Sequence, residues 1–341
     1  MTQFDGHVLR AYPLPLRHYS LRRRGRIFDD MTTPPVPVAE GGPAGAGSAG
    51  SGLGRWPAVA MVLGSATSTH LGAAIAVLLF ARAGAGGVVT LRLAGAALIM
   101  MLICRPQVRG YRRSDWAVVI GFGVALAGMN TLFYQAIDRI PLGAAVTIEV
   151  LGPLTLSVIA SRRAIAWLWA ALALGGVILL GGAGFDGLNL TGVAFALGAA
   201  AAWAAYIVLS GSTGQRFPKA DGLALALVVA AVLTLPLGIT SSGSAMFAPA
   251  VLGLGLAVAV LSSSLPYTIE LLALRALPAS TFAILVSLGP GIAATAGYFI
   301  LDQPMNLIDG AAIALVIAAS IGAVLTTPAK QVSADIGLPV P

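Results

Sequence analysis

Asp138–Pro153 reads DRIPLGAAVTIEVLGP, and Arg275–Pro290 reads RALPASTFAILVSLGP. Pro141 matches Pro278, and Leu151, Gly152 and Pro153 match Leu288, Gly289 and Pro290, all at one offset of 137 residues. Each copy holds the same place in its run of apolar segments, one short loop after the third segment and running into the fourth. An odd number of spans per copy turns the second copy upside down across a bilayer, which is the inverted-repeat plan of many secondary transporters. The expected fold is therefore an all-α membrane protein, with ten transmembrane helices arranged as two inverted five-helix repeats.

The composition around the repeat demands a membrane. Hydrophobic residues make up 57% of the chain and charged residues 10%, with a mean hydropathy of +0.90. Soluble domains carry roughly 25% charged residues. Crossing about 30 Å of hydrocarbon takes about 20 mostly apolar residues, and such stretches fall at 56–80, 87–104, 115–136, 142–160, 164–183, 190–210, 221–240, 247–273, 278–301 and 306–326. The connections between them are too short for a soluble domain. The expected organisation is a tail over 1–54, a first repeat over 55–183, a second over 184–327 and a C-terminal tail over 328–341.

The net charge of +7 has a topological explanation and does not call for nucleic acid. Seventeen of the Lys and Arg residues lie in the tails and alternate connections of one side, whereas the other side holds only Arg82 and Arg139 and a single Arg, Arg92, lies inside a span. Positive residues stay cytoplasmic, so both termini are expected inside. Residues 1–54 combine the Arg22–Arg26 cluster, prolines at 34, 35 and 37 and a Gly/Ala/Ser tract. Such a segment cannot bury a core, and with no apolar region after the Arg cluster it does not read as a signal peptide. Met31 offers an alternative start. The lone Cys104 excludes an internal disulfide and suits a small apolar filler.

Ionisable or polar groups inside spans mark candidate function, because a charge at the bilayer centre costs about 2.5–3.5 kcal/mol unless paired or hydrated. Glu149 lies about 10 Å into the fourth span at 1.5 Å per residue, and Arg92 stands at nearly the same depth in the second. The two either pair, or Arg92 snorkels to the outer headgroups. Asn130 and Tyr134 are one helical turn apart in the third span, with Gln135 beside them, and Trp203 and Tyr206 form an amphipathic pair in the sixth. In the eighth span Ser263, Tyr267 and Glu270 share a face beside Pro266, with Glu270 near enough to Arg275 for an interfacial ion pair. His70 is the only intramembrane histidine, suited to a proton relay or to a structural hydrogen bond. Pro153, Pro266 and Pro290 each deprive the carbonyl four residues earlier of its helical donor, which hydrocarbon tolerates only beside protein or a wet cavity.

Gly128–Leu154, the SRR at Ser161–Arg163, Leu190–Gly211 (LTGVAFALGAAAAWAAYIVLSG) and Leu261–Pro290 together resemble the threonine/homoserine exporter branch of the drug/metabolite transporter superfamily, with its two EamA-type repeats. The likeness runs over about 57–327. It implies ten spans with both termini inside, a bacterial inner-membrane location, and efflux of small neutral amino acids against a proton gradient. The implied partners are a small-molecule substrate, protons and membrane lipid, with the oligomeric state open between monomer and homodimer. Efflux of another small metabolite or drug, and a non-transport structural or lipid-handling role in the membrane, are the alternatives. No cofactor, metal or enzymatic activity is expected: H-E-x-x-H and the G-x-x-x-x-G-K-[ST] loop are absent from the chain, and G-x-S-x-G from its spans.

Overall fold

Helix is the only regular structure among the residues that the computed structural model describes, which are 55–161, 164–182, 189–218, 220–266, 269, 277 and 279–326. The two expected tails, 1–54 and 328–341, lie outside the described residues. In chain order the helices are α1 Arg55–Cys104, α2 Arg113–Ile137, α3 Leu142–Glu149, α4 Leu151–Ser161, α5 Ala164–Gly182, α6 Leu190–Gly214 and α7 Asp221–Ser242. A 3-10 turn, Gly243–Phe247, leads into α8, Pro249–Ala259, which continues as a π-helical turn, Val260–Ser264. Then come α9 Ala279–Val286, α10 Gly289–Leu301 and α11 Leu307–Thr326.

Seven helical stretches among the described residues are long and apolar enough to cross a membrane, and Ala164–Leu180 and Pro249–Ser264 are shorter apolar helices. The longest stretch, Trp56–Cys104, has 49 residues. At about 1.5 Å per residue it measures about 74 Å, more than two crossings of a 30 Å core. It is divided at Gly84, whose φ of 61° and ψ of 163° fall in a region essentially closed to side chains. The first two expected spans are thus the arms of one bent element, where the sequence suggested a short loop near Arg82. Trp167, Phe299 and Leu307 lie exposed on the outside of the bundle, as befits a surface solvated by acyl chains.

Small residues set the packing, because apolar helices in lipid associate through close contact rather than through the hydrophobic effect. The principal pairs are α2 with α6, α1 with α7 and α8, α5 with α11, and α3 with α10. Gly143 backs directly onto Ala294 of α10, where a methyl group would stand 2.7 Å from the Ala294 side chain.

The connections fall at two ends. At one end the Tyr111 and Phe217 rings stack at 4.3 Å, Arg216 Nη1 meets Asp115 Oδ1 at 3.2 Å, and Trp169 Nε1 donates to Thr326 Oγ1 at 3.0 Å. The start of α1 meets the start of α9 through Val62 and Phe282. This is the end where the described chain begins and finishes. At the opposite end the hydroxyl of Ser242 donates to the Ala83 carbonyl, the Leu142 amide donates to Gln303 Oε1 at 3.0 Å, and the Arg139 guanidinium lies 5.0 Å from the Phe195 ring centre.

Candidate functional site

The two copies of the repeated motif each break a helix. Pro153 has no N–H to return to Glu149, so α3 stops at Glu149 and α4 starts at Leu151. Pro290 likewise has none for Val286, and α9 stops there before α10 begins at Gly289. The motif glycines allow the close approaches that follow. A methyl group on Gly152 would run into the Ala200 carbonyl of α6, and one on Gly289 would stand 3.3 Å from His70 Nε2 of α1.

Both breaks open onto a single cavity of about 500 Å3. Its deeper wall carries His70, Arg92, Asn130, Glu149, Trp203, Tyr206 and Ser262, and most of the remaining lining is apolar. It extends along α4 to Ser157, and is bounded there by Val62, Ser210, Phe282 and Val324. Glu149 to Ser157 spans about 12 Å at the helical rise of 1.5 Å per residue. The cavity therefore runs from mid-depth toward the end where the described chain begins and finishes.

Arg92, only 7% exposed, is held from behind. Its Nε donates to Ser263 Oγ at 3.1 Å, Nη2 donates to the Ser262 carbonyl at 3.0 Å, and Nη1 donates to the Tyr134 hydroxyl at 3.4 Å. The guanidinium carbon also lies 5.5 Å from the Tyr134 ring centre. Pro266, four residues on, has no N–H to return to Ser262, so the carbonyl that accepts from Arg92 is one left without its helical donor, within the π-helical turn. Tyr134 is fully buried and packs against Phe80 and Phe133. It sits behind the cavity wall and positions Arg92. Arg92 does not reach Glu149, since no ion pair joins the two. Glu149 makes no side-chain hydrogen bond or ion pair among the described residues.

The other sequence candidates divide by the rotational phase of their helices. Asn130 lines the cavity while its Nδ2 donates to the Leu126 carbonyl at 2.9 Å. Trp203 and Tyr206 line it from α6, with the Tyr206 ring braced on Phe122 at 5.1 Å. His70 lines it from the first arm of α1. Gln135 stands apart: its Oε1 accepts from Arg139 Nη1 at 2.8 Å at the far end of α2. It neighbours Tyr134 in sequence, but one helical step of about 100° carries it off the face. Ser263 touches Arg92 and does not line the cavity itself. Tyr267, Glu270 and Arg275 lie outside the described residues.

Sequence reasoning pointed to the Ser262 carbonyl, which Pro266 leaves without its helical donor, but not to Ser262 as part of the cavity lining, although a Ser262-Ser263-Ser264 run inside an apolar span was a legible signal. It also missed the hydroxyls of Ser157, Ser210, Ser287 and Ser320 in the cavity lining. Of these, Ser210 and Ser287 donate to their own helices, at the Ile207 and Ala283 carbonyls.

Comparison with known proteins adds a family. The model of the EamA-like transporter family matches residues 190–325. The chain is 39% identical over 276 residues to the threonine/homoserine exporter RhtA of Salmonella typhimurium and to that of Escherichia coli K12, covering 80% of this chain and 92% of each relative. It is 25% identical over 258 residues to the uncharacterized transporter YwfM of Bacillus subtilis, over 73% of this chain and 86% of that protein. A crystal structure at 20% sequence identity covers 79% of this chain and 96% of its own with a TM-score of 0.51, a likeness of fold.

Proposed function

Because the chain belongs to the EamA-like transporter family and is thus a multi-pass membrane transporter and not an enzyme, we propose that it exports small neutral amino acids, threonine and homoserine first, by proton antiport across the bacterial inner membrane. The observation that carries this reading is Glu149, a carboxyl without a side-chain partner among the described residues, at the break of a helix on the wall of the cavity. The relatives are named as threonine/homoserine exporters, which supports the substrate.

The architecture behind the reading is ten spans in two inverted repeats, 55–183 and 184–327. Counting α1 as two arms, the broken helices as one span each and the two shorter helices as spans makes ten. The packing pairs support it as well. A two-fold axis in the membrane plane maps spans 2, 4 and 5 onto spans 7, 9 and 10, and these pack in those combinations. The same axis maps the pair formed by spans 3 and 6 onto spans 8 and 1, which also touch. With both termini in the cytoplasm, the cavity extends toward the compartment from which an exporter loads.

Antiport follows from the energetics of one carboxylate. Carrying it bare through an occluded bundle costs on the order of 2.5–3.5 kcal/mol, and Arg92, tied to Ser262, Ser263 and Tyr134, does not neutralise it directly. Either the substrate ammonium or a proton must do so. Inward-facing, the carboxyl releases its proton and takes the ammonium. Outward-facing, it releases the substrate and takes a proton for the return. Glu149→Gln removes the exchange and keeps the size of the group. In proteoliposomes loaded with labelled threonine, the variant should lose flux driven by a pH gradient and retain counterflow. Undiminished gradient-driven flux in the variant would sink the coupling role.

A further inference from the structure

The cavity holds opposite charges that do not collapse onto each other. Arg92 and Glu149 line the same space with no ion pair between them, and the reason is visible behind Arg92. Among the described residues, its bonds to Ser263, the Ser262 carbonyl and Tyr134 hold in place a planar guanidinium, the side chain best shaped for a carboxylate. Opposite it, Glu149 offers two carboxylate oxygens and, because Pro153 follows one turn later, a main-chain carbonyl without its helical donor. That is a set of acceptors suited to the donors of an ammonium.

The remaining wall is mostly apolar, and Ser210 and Ser287 spend their protons on the carbonyls of their own helices. About 500 Å3 is also more space than threonine fills, and lies within the ~300–1,000 Å3 range of pockets for larger ligands. An apolar pocket separates side chains that differ by a methylene by only about 10–200-fold.

We propose that this cavity is a zwitterion site, with Arg92 taking the α-carboxylate, Glu149 the α-ammonium, and the substrate side chain lying against the apolar wall, so that neutral α-amino acids larger than threonine bind as well. The proposal rests on reading the chain as an amino-acid carrier, and is tested by binding as well as by flux. Labelled threonine would be bound to the purified full chain in nanodiscs and displaced by leucine, threoninamide or N-acetylthreonine. Leucine should displace it within about 10–200-fold of threonine itself. Threoninamide and N-acetylthreonine should be weaker by at least about 10–100-fold, since each lacks one charge-assisted contact.

Variants assign the two poles separately. Arg92→Gln should erase the discrimination against threoninamide and keep that against N-acetylthreonine, and Glu149→Gln should do the reverse, a double pattern that misfolding cannot produce. Equal displacement by threonine and threoninamide in the unaltered chain, or no displacement by leucine, overturns the proposal. If the binding pattern appears without gradient-driven flux, the antiport reading falls and the zwitterion site stands. If no amino acid binds, both fall.

Discussion

Arg92 is a charge held in a fixed place on the cavity wall. Among the described residues, Tyr134 of α2 supplies one of its bonds and Ser262 and Ser263 of the π-helical turn supply two, and hydrogen bonds to a charged group are worth about 1.5–3 kcal/mol each. Releasing it should let it swing toward Glu149 and neutralise the carboxylate without substrate or proton. Tyr134→Phe combined with Ser263→Ala removes two such bonds and is therefore expected to lower gradient-driven threonine flux at least about 10-fold, the factor that corresponds to the lower energy of a single one, while counterflow continues. A pH-sensitive dye inside the vesicles checks it, and an unchanged ratio of protons to threonine would reject the tether. The glycines give a second residue-scale expectation. Gly152→Ala drives a methyl group into the Ala200 carbonyl and should cost about 1–3 kcal/mol. Gly175→Ala meets nothing within 4 Å and should be neutral or stabilising by up to about 1 kcal/mol. Thermal unfolding of both variants in one detergent compares them directly.

Helix breaks are the proposed functional device at the scale of elements. α3 and α4, like α9 and α10, are halves of one crossing, and each break exposes main-chain groups beside the cavity instead of beside lipid. Restoring the missing donor should heal the break. Pro153→Ala is expected to let its amide bond the Glu149 carbonyl, straighten α3 into α4 and leave the melting temperature equal or higher. Threonine flux should fall at least several-fold, because Glu149 is turned from its station. A variant that transports normally would show the break to be incidental. The bend at Gly84 and the π-helical turn belong to the same class, each a local departure that brings a particular group, Ala83 or Ser262, to a partner in another element.

For the whole molecule the decisive asymmetry is charge. Seventeen basic residues lie on one side outside the spans and two on the other, so the positive-inside rule predicts both termini in the cytoplasm. Reporter fusions after Arg163 and Lys219 should read as cytoplasmic, and those after Asp138 and Asp302 as periplasmic. The opposite result at any two of these sites would reject the ten-span, termini-inside arrangement. If those fusions read as expected, the cavity, which extends from mid-depth toward Ser157 and Val324, is a cytoplasmic vestibule. The contacts of Ser242 with Ala83, Gln303 with Leu142 and Arg139 with Phe195 then form the outer closure.

The amino-acid sequence alone determined the helical membrane class, because hydropathy acts locally and about 20 apolar residues declare a crossing wherever they occur. It also marked the breaks at Pro153 and Pro290, since a missing N–H is a property of one residue. It brought forward Glu149, Arg92, Asn130, Trp203, Tyr206 and His70, because polar groups in hydrocarbon are costly enough to be conspicuous. Only the tertiary structure decided that Gln135 turns away while Asn130 faces the cavity, that Tyr134 stands behind Arg92, and that the Ser262 carbonyl freed by Pro266 accepts from Arg92. Those outcomes depend on rotational phase and on which helix lies opposite, and helices joined across 42 to 171 residues of chain leave no local trace of it. The separation of Arg92 from Glu149 was likewise undecidable from two residues at equal depth, because the anchors that hold Arg92 come mostly from the other half of the chain.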